Sequence, residues 1–130
     1  MKKNISHFFL AAAIFVLASA AASAQKARAI SEIQGDKNVS PLVGEEARVT
    51  GIVTARTRTG FFIQTPDDKA DNNPNTSEGV QVYTRAEPGG EATVGNLVTV
   101  SGRVEEFRPR SETAALPITQ IVFTRGKDSI

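Results

Sequence analysis

The chain contains no cysteine and no tryptophan, and its one histidine is His7, close to the amino terminus. Each absence removes a class of chemistry. Without cysteine there is no thiol nucleophile and no disulfide staple. Without histidine past residue 7, a Ser-His-Asp or Cys-His nucleophile system is excluded from the body of the chain. A zinc site built from the usual His and Cys ligands is excluded with it. Carboxylates, Lys, Arg, Tyr and hydroxyls remain, and no spacing pairs them as a catalytic couple, so no catalytic residue is assigned. Aromatic residues make up only 6% of the chain, which argues against a large apolar cofactor, and no cofactor or metal is expected. There is no internal repeat of 20–50 residues and no long helical periodicity beyond the first two dozen positions.

Those first positions have a pattern of their own. Met1-Lys2-Lys3 is a basic start, residues 8–18 are continuously apolar, and Ala22-Ser23-Ala24 is a small-residue cleavage signal. This is the pattern of a secretory signal peptide over residues 1–24, with removal expected after Ala24. The apolar run is short for a membrane span, which needs about 20 residues, so no stable membrane insertion is expected after cleavage; an uncleaved anchor is the alternative. The product is expected to be periplasmic or secreted. Cleavage takes Lys2 and Lys3 away, leaving 13 of the 15 basic residues against 14 acidic ones, a net charge of −1 rather than +1. General attraction to nucleic acid does not follow from that balance, and any such binding needs a local patch. An exported domain without disulfides must rely on its core, which about 100 residues can supply.

The remaining chain reads as an all-β domain over residues 45–125, with a lead-in over 25–44 and a short tail over 126–130. In the lead-in, "AISEIQ" has the spacing of one helical turn, stopped by Gly35. Five strands are expected over 46–56, 61–65, 79–84, 96–104 and 118–124. The first, "EARVTGIVTAR", sets Val49, Gly51 and Val53 on one side and Arg48, Thr50 and Thr54 on the other. Gly51 and Gly102 fall in mid-strand, where a tightly coiled sheet needs a bend or bulge. Turn residues separate the strands at Pro88-Gly89-Gly90, at Val94-Gly95-Asn96 and between Pro109 and Pro117. Five short strands with two internal glycines fit a five-stranded Greek-key barrel of the OB-fold type. A small β-sandwich is the alternative, but it usually has about seven strands.

The segments "EIQGDKNVSPLVGEEARVTGIVTA", "GFFIQ", "NPNTSEGVQVYT", "VGNLVTVSGRVEEF" and "ITQI" occur in that order. Together they resemble the OB-fold domain of bacterial secreted nucleases, the non-catalytic domain that precedes an endonuclease/exonuclease/phosphatase-type catalytic domain. The resemblance runs from about Ile30 to Ile121. It implies an OB-fold and a link to extracellular nucleic-acid degradation. It does not imply nuclease activity in this polypeptide, because the catalytic domain of that family depends on histidine and on metal-binding carboxylates. The expectation is a module that accompanies a nuclease catalytic domain, either standing alone or as a piece of a longer protein.

Three groups of residues are candidates for a site. Asp67, Asp68, Asp71, Asn72 and Asn73 form a polar loop with oxygen ligands enough for calcium, but not with EF-hand spacing. Turn chemistry is the expected reading of the loop. The second group follows from the barrel. OB-folds bind oligonucleotides across their second and third strands. With Phe61, Ile63, Val80 and Val82 turned inward, Phe62, Gln64, Gln81 and Tyr83 face out, and Phe62 and Tyr83 become stacking platforms. Arg56, Arg58, Arg85, Arg108 and Arg110 lie in or beside the neighbouring turns. Together these nine residues are the expected groove for single-stranded or frayed nucleic acid; a small ligand or protein partner is the alternative occupant. The third group, Glu45-Glu46 and Glu105-Glu106, consists of adjacent carboxylates that would face opposite sides of a strand. They read as solvated charges that protect sheet edges.

Overall fold

The computed structural model describes residues 26–125 and 128–130. The expected signal peptide lies outside the described residues. The elements are β1 (Ala27–Arg28), α1 (Ile30–Gln34), β2 (Glu46–Thr57), β3 (Gly60–Gln64), β4 (Gly79–Tyr83), β5 (Leu97–Phe107) and β6 (Ile118–Val122), with single 3₁₀ turns at Asp67–Lys69 and Gly90–Ala92. The strand order is β2-β3-β4-β6-β5, and β5 pairs back onto β2 to close a barrel of five strands. All pairings around the barrel are antiparallel except β4 with β6, which is parallel. This is the Greek-key connection of the OB-fold.

Alternation supplies the core. Val49, Val53, Phe61, Ile63, Val80, Val82, Val100, Val104 and Ile121 are all buried inside the cylinder. Each fully buried side chain of this size contributes roughly 1.5–3 kcal/mol. The lead-in belongs to the same core. Ile30 and Ile33 of α1 are buried against it, and Gln34 Nε2 donates to the carbonyl of Gly79 at 2.6 Å. That bond sets α1 over the mouth where β3 ends and β4 begins. The helix is one turn long, as its spacing predicts. Glu32 accepts from the Ala29 amide at its start (2.8 Å), and the Gly35 amide bonds to Ser31 at its end (2.8 Å).

The two long strands change neighbours partway along. β2 pairs with β5 over 46–52 and with β3 over 52–57; β5 pairs with β2 over 97–103 and with β6 over 103–107. Each of the two mid-strand glycines, Gly51 and Gly102, sits beside its switch. A Cβ on Gly51 would lie 2.9 Å from the Gln64 carbonyl oxygen, and one on Gly102 would lie 2.7 Å from both Ile121 Cγ2 and the Val122 carbonyl oxygen. These glycines therefore allow a neighbouring strand to come close. The bulge itself is elsewhere: the β2–β3 register slips between Val53 and Ala55, so Thr54 is the extra residue.

Each switch leaves half a strand edge without a barrel partner, and the chain covers both. β1 pairs in parallel with β2 at Arg48 and Val49. Near the carboxyl terminus, the Ser101 amide donates to the Ser129 carbonyl at 2.9 Å. Neither cover is legible as a strand in the sequence, since two residues are too few for a periodic pattern.

Gly102→Ala is expected to lose about 1–3 kcal/mol, because the methyl meets backbone as well as the Ile121 side chain. Gly90→Ala, where a Cβ meets open space, is expected to stay within about 0.5 kcal/mol. Urea unfolding of the two variants beside the parent checks both.

Candidate functional site

The outer face of β3 and β4 is set by their register. Phe62 stands opposite Gln81, Gln64 opposite Gly79, and Gly60 opposite Tyr83. Phe61, Ile63, Val80 and Val82 point the other way and are buried. Four of the nine expected groove residues, Phe62, Gln64, Gln81 and Tyr83, thus share one face. Phe62 is 37% exposed. Tyr83 is half-buried and one diagonal step away, a separation of about 7–8 Å in an antiparallel pair.

A groove of about 530 Å³ runs over this face. Its floor is Phe62, Gln64 and Gln81, joined by Thr54 and Ala55 at the β2 bulge. One wall is the loop that follows β5, through Leu116, Pro117 and Ile118; the other is the lead-in, through Gln34, Lys37 and Asn38. Leu116 and Ile118 are 63% and 44% exposed, so the first wall is apolar. The bulge matters here. It places Thr54 and Ala55 side by side and widens the floor at Phe62.

The arginines do not gather in the groove. The bulge reverses the alternation of β2, so Ala55 pairs with outward Phe62 and Arg56 pairs with inward Phe61. The Arg56 guanidinium then donates to the carbonyls of Pro88 (2.8 Å), Gly89 (3.1 Å) and Ala92 (3.2 Å). It fastens the β4–β5 loop at the mouth opposite α1, where Ala92 is buried on the core. Arg56 is a structural clamp and not part of the groove surface. Arg58 and Arg85 meet around a separate hollow with Thr59 and Glu87, past the Tyr83 end of the face. Arg85 holds a left-handed backbone, φ 64°, uncommon for a non-glycine residue. Arg108 turns back onto the Thr113 carbonyl (3.4 Å), and Arg110 is exposed on the same loop. Among the lining residues the one cation is Lys37.

Glu106 also departs from expectation. It is half-buried, and its Oε1 accepts from the Ser40 amide (2.7 Å) and from the Thr119 hydroxyl (2.9 Å). Ser40 in turn donates its hydroxyl to the Ile33 carbonyl and accepts from the Leu42 amide at 3.1 Å. This carboxylate ties the lead-in to β5 and β6 beside the groove. It is not a solvated edge charge. Glu45 does behave as a surface charge, pairing with Arg28 at 3.3 Å.

The polar loop organises itself around Asp71. Its carboxylate accepts from the Asn73 amide (2.7 Å) and the Thr76 hydroxyl (2.9 Å), while the Asp71 amide donates to Glu78 at 2.8 Å. Asn73 repeats the turn onto the Asn75 amide at 3.0 Å. Ser77 closes the exit into β4, accepting from the Gly79 amide at 3.2 Å. This is Asx-turn chemistry. Among the described residues no three acidic side chains converge.

Lead-in residues Gln34, Lys37 and Asn38 join the site without a motif of their own. The isoleucine spacing of "AISEIQ" is the signal that could have placed them, because a turn burying Ile30 and Ile33 must lie on the barrel. The apolar stretch Leu116-Pro117-Ile118 is hidden by its proline, which reads only as a turn.

Two outcomes follow. Arg56→Ala is expected to cost about 1–2 kcal/mol and to speed amide exchange in the β4–β5 loop, since three carbonyls are left without a charged donor; exchange mass spectrometry reads the second effect. The Asn73 amide, chiefly, holds the Asp71 carboxyl below its ordinary pKa of 3.8. A carboxylate with a depressed folded pKa stabilises the fold above its unfolded value and loses that contribution as pH falls through the folded value. Order in the loop 70–78 is therefore expected to be full above pH 3.8 and to decline below it. An NMR titration of the Asn73 amide checks this, and Asp71→Asn should abolish the step.

Comparison with protein-family models, with curated proteins and with solved structures finds no match to this chain.

Proposed function

We propose that this chain is an exported, non-catalytic OB-fold module that holds single-stranded or frayed nucleic acid on the outer face of β3 and β4, in company with a nuclease catalytic domain. The observation that carries the reading is the exposed Phe62 ring on a sheet floor between the amides of Gln64 and Gln81. An aromatic ring on an OB-fold sheet gives a base a stacking surface, and flanking amides offer both donors and acceptors to base edges. Arg58 and Arg85 lie past the Tyr83 end of the strip, where a backbone leaving the groove would meet them. The order of family-like segments between Ile30 and Ile121 supports the association with secreted nucleases.

A second reading rests on the apolar wall. Leu116 and Ile118 flank the groove, and the Phe107 position pairs with Ile118 across β5 and β6. That wall suits a protein partner, such as a catalytic domain seated on the module.

Fluorescence anisotropy with a labelled single-stranded DNA at low and moderate salt tests the first reading. Phe62→Ala is expected to weaken binding about tenfold, since stacking on one ring contributes about 1–3 kcal/mol. Arg58→Gln with Arg85→Gln is expected to flatten the slope of log affinity against log salt by about 0.7 for each phosphate no longer neutralised. Absence of binding at low salt, or indifference to Phe62→Ala, overturns the reading. Salt-insensitive capture of a nuclease domain that is lost with Leu116→Ser would favour the second.

A further inference from the structure

A second concavity, about 460 Å³, lies away from the groove on the outer side of β2. β1, β2, the start of β5 and the 3₁₀ turn after β3 surround it. It shares no lining residue with the groove. Its volume falls within the range of small-molecule sites, roughly 300–1,000 Å³.

The chemistry of the lining is one-sided. Ala27, Ala29, Pro66 and Leu97 supply apolar surface, and Leu97 is 63% exposed at the first residue of β5. Arg28, Arg48 and Lys69 supply three cations, and no carboxylate lines the site among the described residues. Arg28 and Lys69 have acidic neighbours outside the cavity, Glu45 at 3.3 Å and Asp68 at 3.9 Å. The hydroxyls of Thr50 and Thr99 bond to each other across β2 and β5 at 2.8 Å, so only one of the two protons is used between them. Thr65 adds a third hydroxyl whose oxygen is buried with no hydrogen-bond partner.

We propose that this cavity binds a small amphipathic organic anion, with its apolar body against Ala29, Pro66 and Leu97 and its single anionic group held by Arg48 and Lys69 with the hydroxyl of Thr50 or Thr99. Arg48 carries most of the recognition. Charge-assisted bonds from a cation to a carboxylate or sulfonate are roughly twice as strong as neutral ones. An inorganic anion alone would leave the apolar side unfilled. A neutral hydrocarbon would leave the anion-binding donors unused. The ligand spans β1, β2 and β5, so its binding also secures the short β1 pairing at Ala27 and Arg28.

The probe is anilinonaphthalene sulfonate, whose fluorescence rises in an apolar site, with decanoate and inorganic phosphate as competitors against the purified full chain. The expected result is saturable binding displaced by decanoate and not by phosphate. Arg48→Glu and Leu97→Glu should each weaken it by about tenfold or more, while Phe62→Ala, in the groove, leaves it unchanged. Ligand should also slow amide exchange at Ala27 and Arg28. No saturable binding overturns the proposal. So does competition by phosphate equal to decanoate, which would mark a plain anion site, or binding that is lost with Phe62→Ala and kept in Arg48→Glu. Circular dichroism of each variant shows that it folds; if Arg48→Glu does not, Arg48→Gln takes its place with the same expected direction.

Discussion

The structure depends on two strands that must each serve two neighbours. Five short strands close into a cylinder only if β2 and β5 leave one partner and take up the next. At the switch the sheet coils tightly, and a neighbouring backbone comes within a distance that no Cβ tolerates. Gly51 and Gly102 meet that constraint with the carbonyls of Gln64 and Val122 close by. Closure then has a consequence at the edges. Each switch frees half an edge, and unpaired edge amides invite pairing with another chain. β1 and the segment at Ser129 cover those half-edges, so two pieces that look peripheral in the sequence complete the barrel.

The bulge at Thr54 has a second effect. A strand has a period of two, so one inserted residue exchanges the two faces beyond it. Ahead of the bulge β2 carries Val49 and Val53 inward. Past it, Ala55 joins the outer face beside Phe62, and Arg56 goes to the inner side at the mouth. There the guanidinium spans three carbonyls of the β4–β5 loop, a fork geometry that lysine could not reproduce. The same residue insertion therefore widens the groove floor and removes a positive charge from its rim.

What can be read from the sequence follows that physics. The five barrel strands, the mid-strand glycines, the inward and outward sets on β3 and β4, and the single turn of α1 are all legible, because each is a periodicity or a stop signal within a few residues. The role of Arg56 is not, since alternation continued past Val53 puts it on the wrong face and nothing local marks Thr54 as extra. Glu106 escapes for a different reason. Its neighbours Ser40 and Thr119 are distant in sequence, and only closure brings the lead-in under β5 and β6. The expected ring of arginines disperses in a similar way. Arg58 and Arg85 meet each other through the two turns at one end of the face, while Arg108 is held by its own loop. The groove is therefore lined by amides and an aromatic ring, with Lys37 its one cation among the described residues.

The partner switch also divides the outer surface. Before Ile52, β2 is flanked by β1 and β5, and its outward residues Arg48 and Thr50 look into the cationic cavity. After Ile52 it is flanked by β3, and Thr54 and Ala55 look into the groove. One strand thus faces two concavities of different character, one lined by arginine, lysine and aliphatic surface and the other by amides and an aromatic ring. They have no side chain in common, yet α1 borders both, through Ile30 on one side and Gln34 on the other. Five residues of lead-in, anchored by two buried isoleucines and by the Gln34 bond to Gly79, thus separate the two concavities. The lead-in therefore supplies one side of each concavity, and the barrel alone would leave both open there.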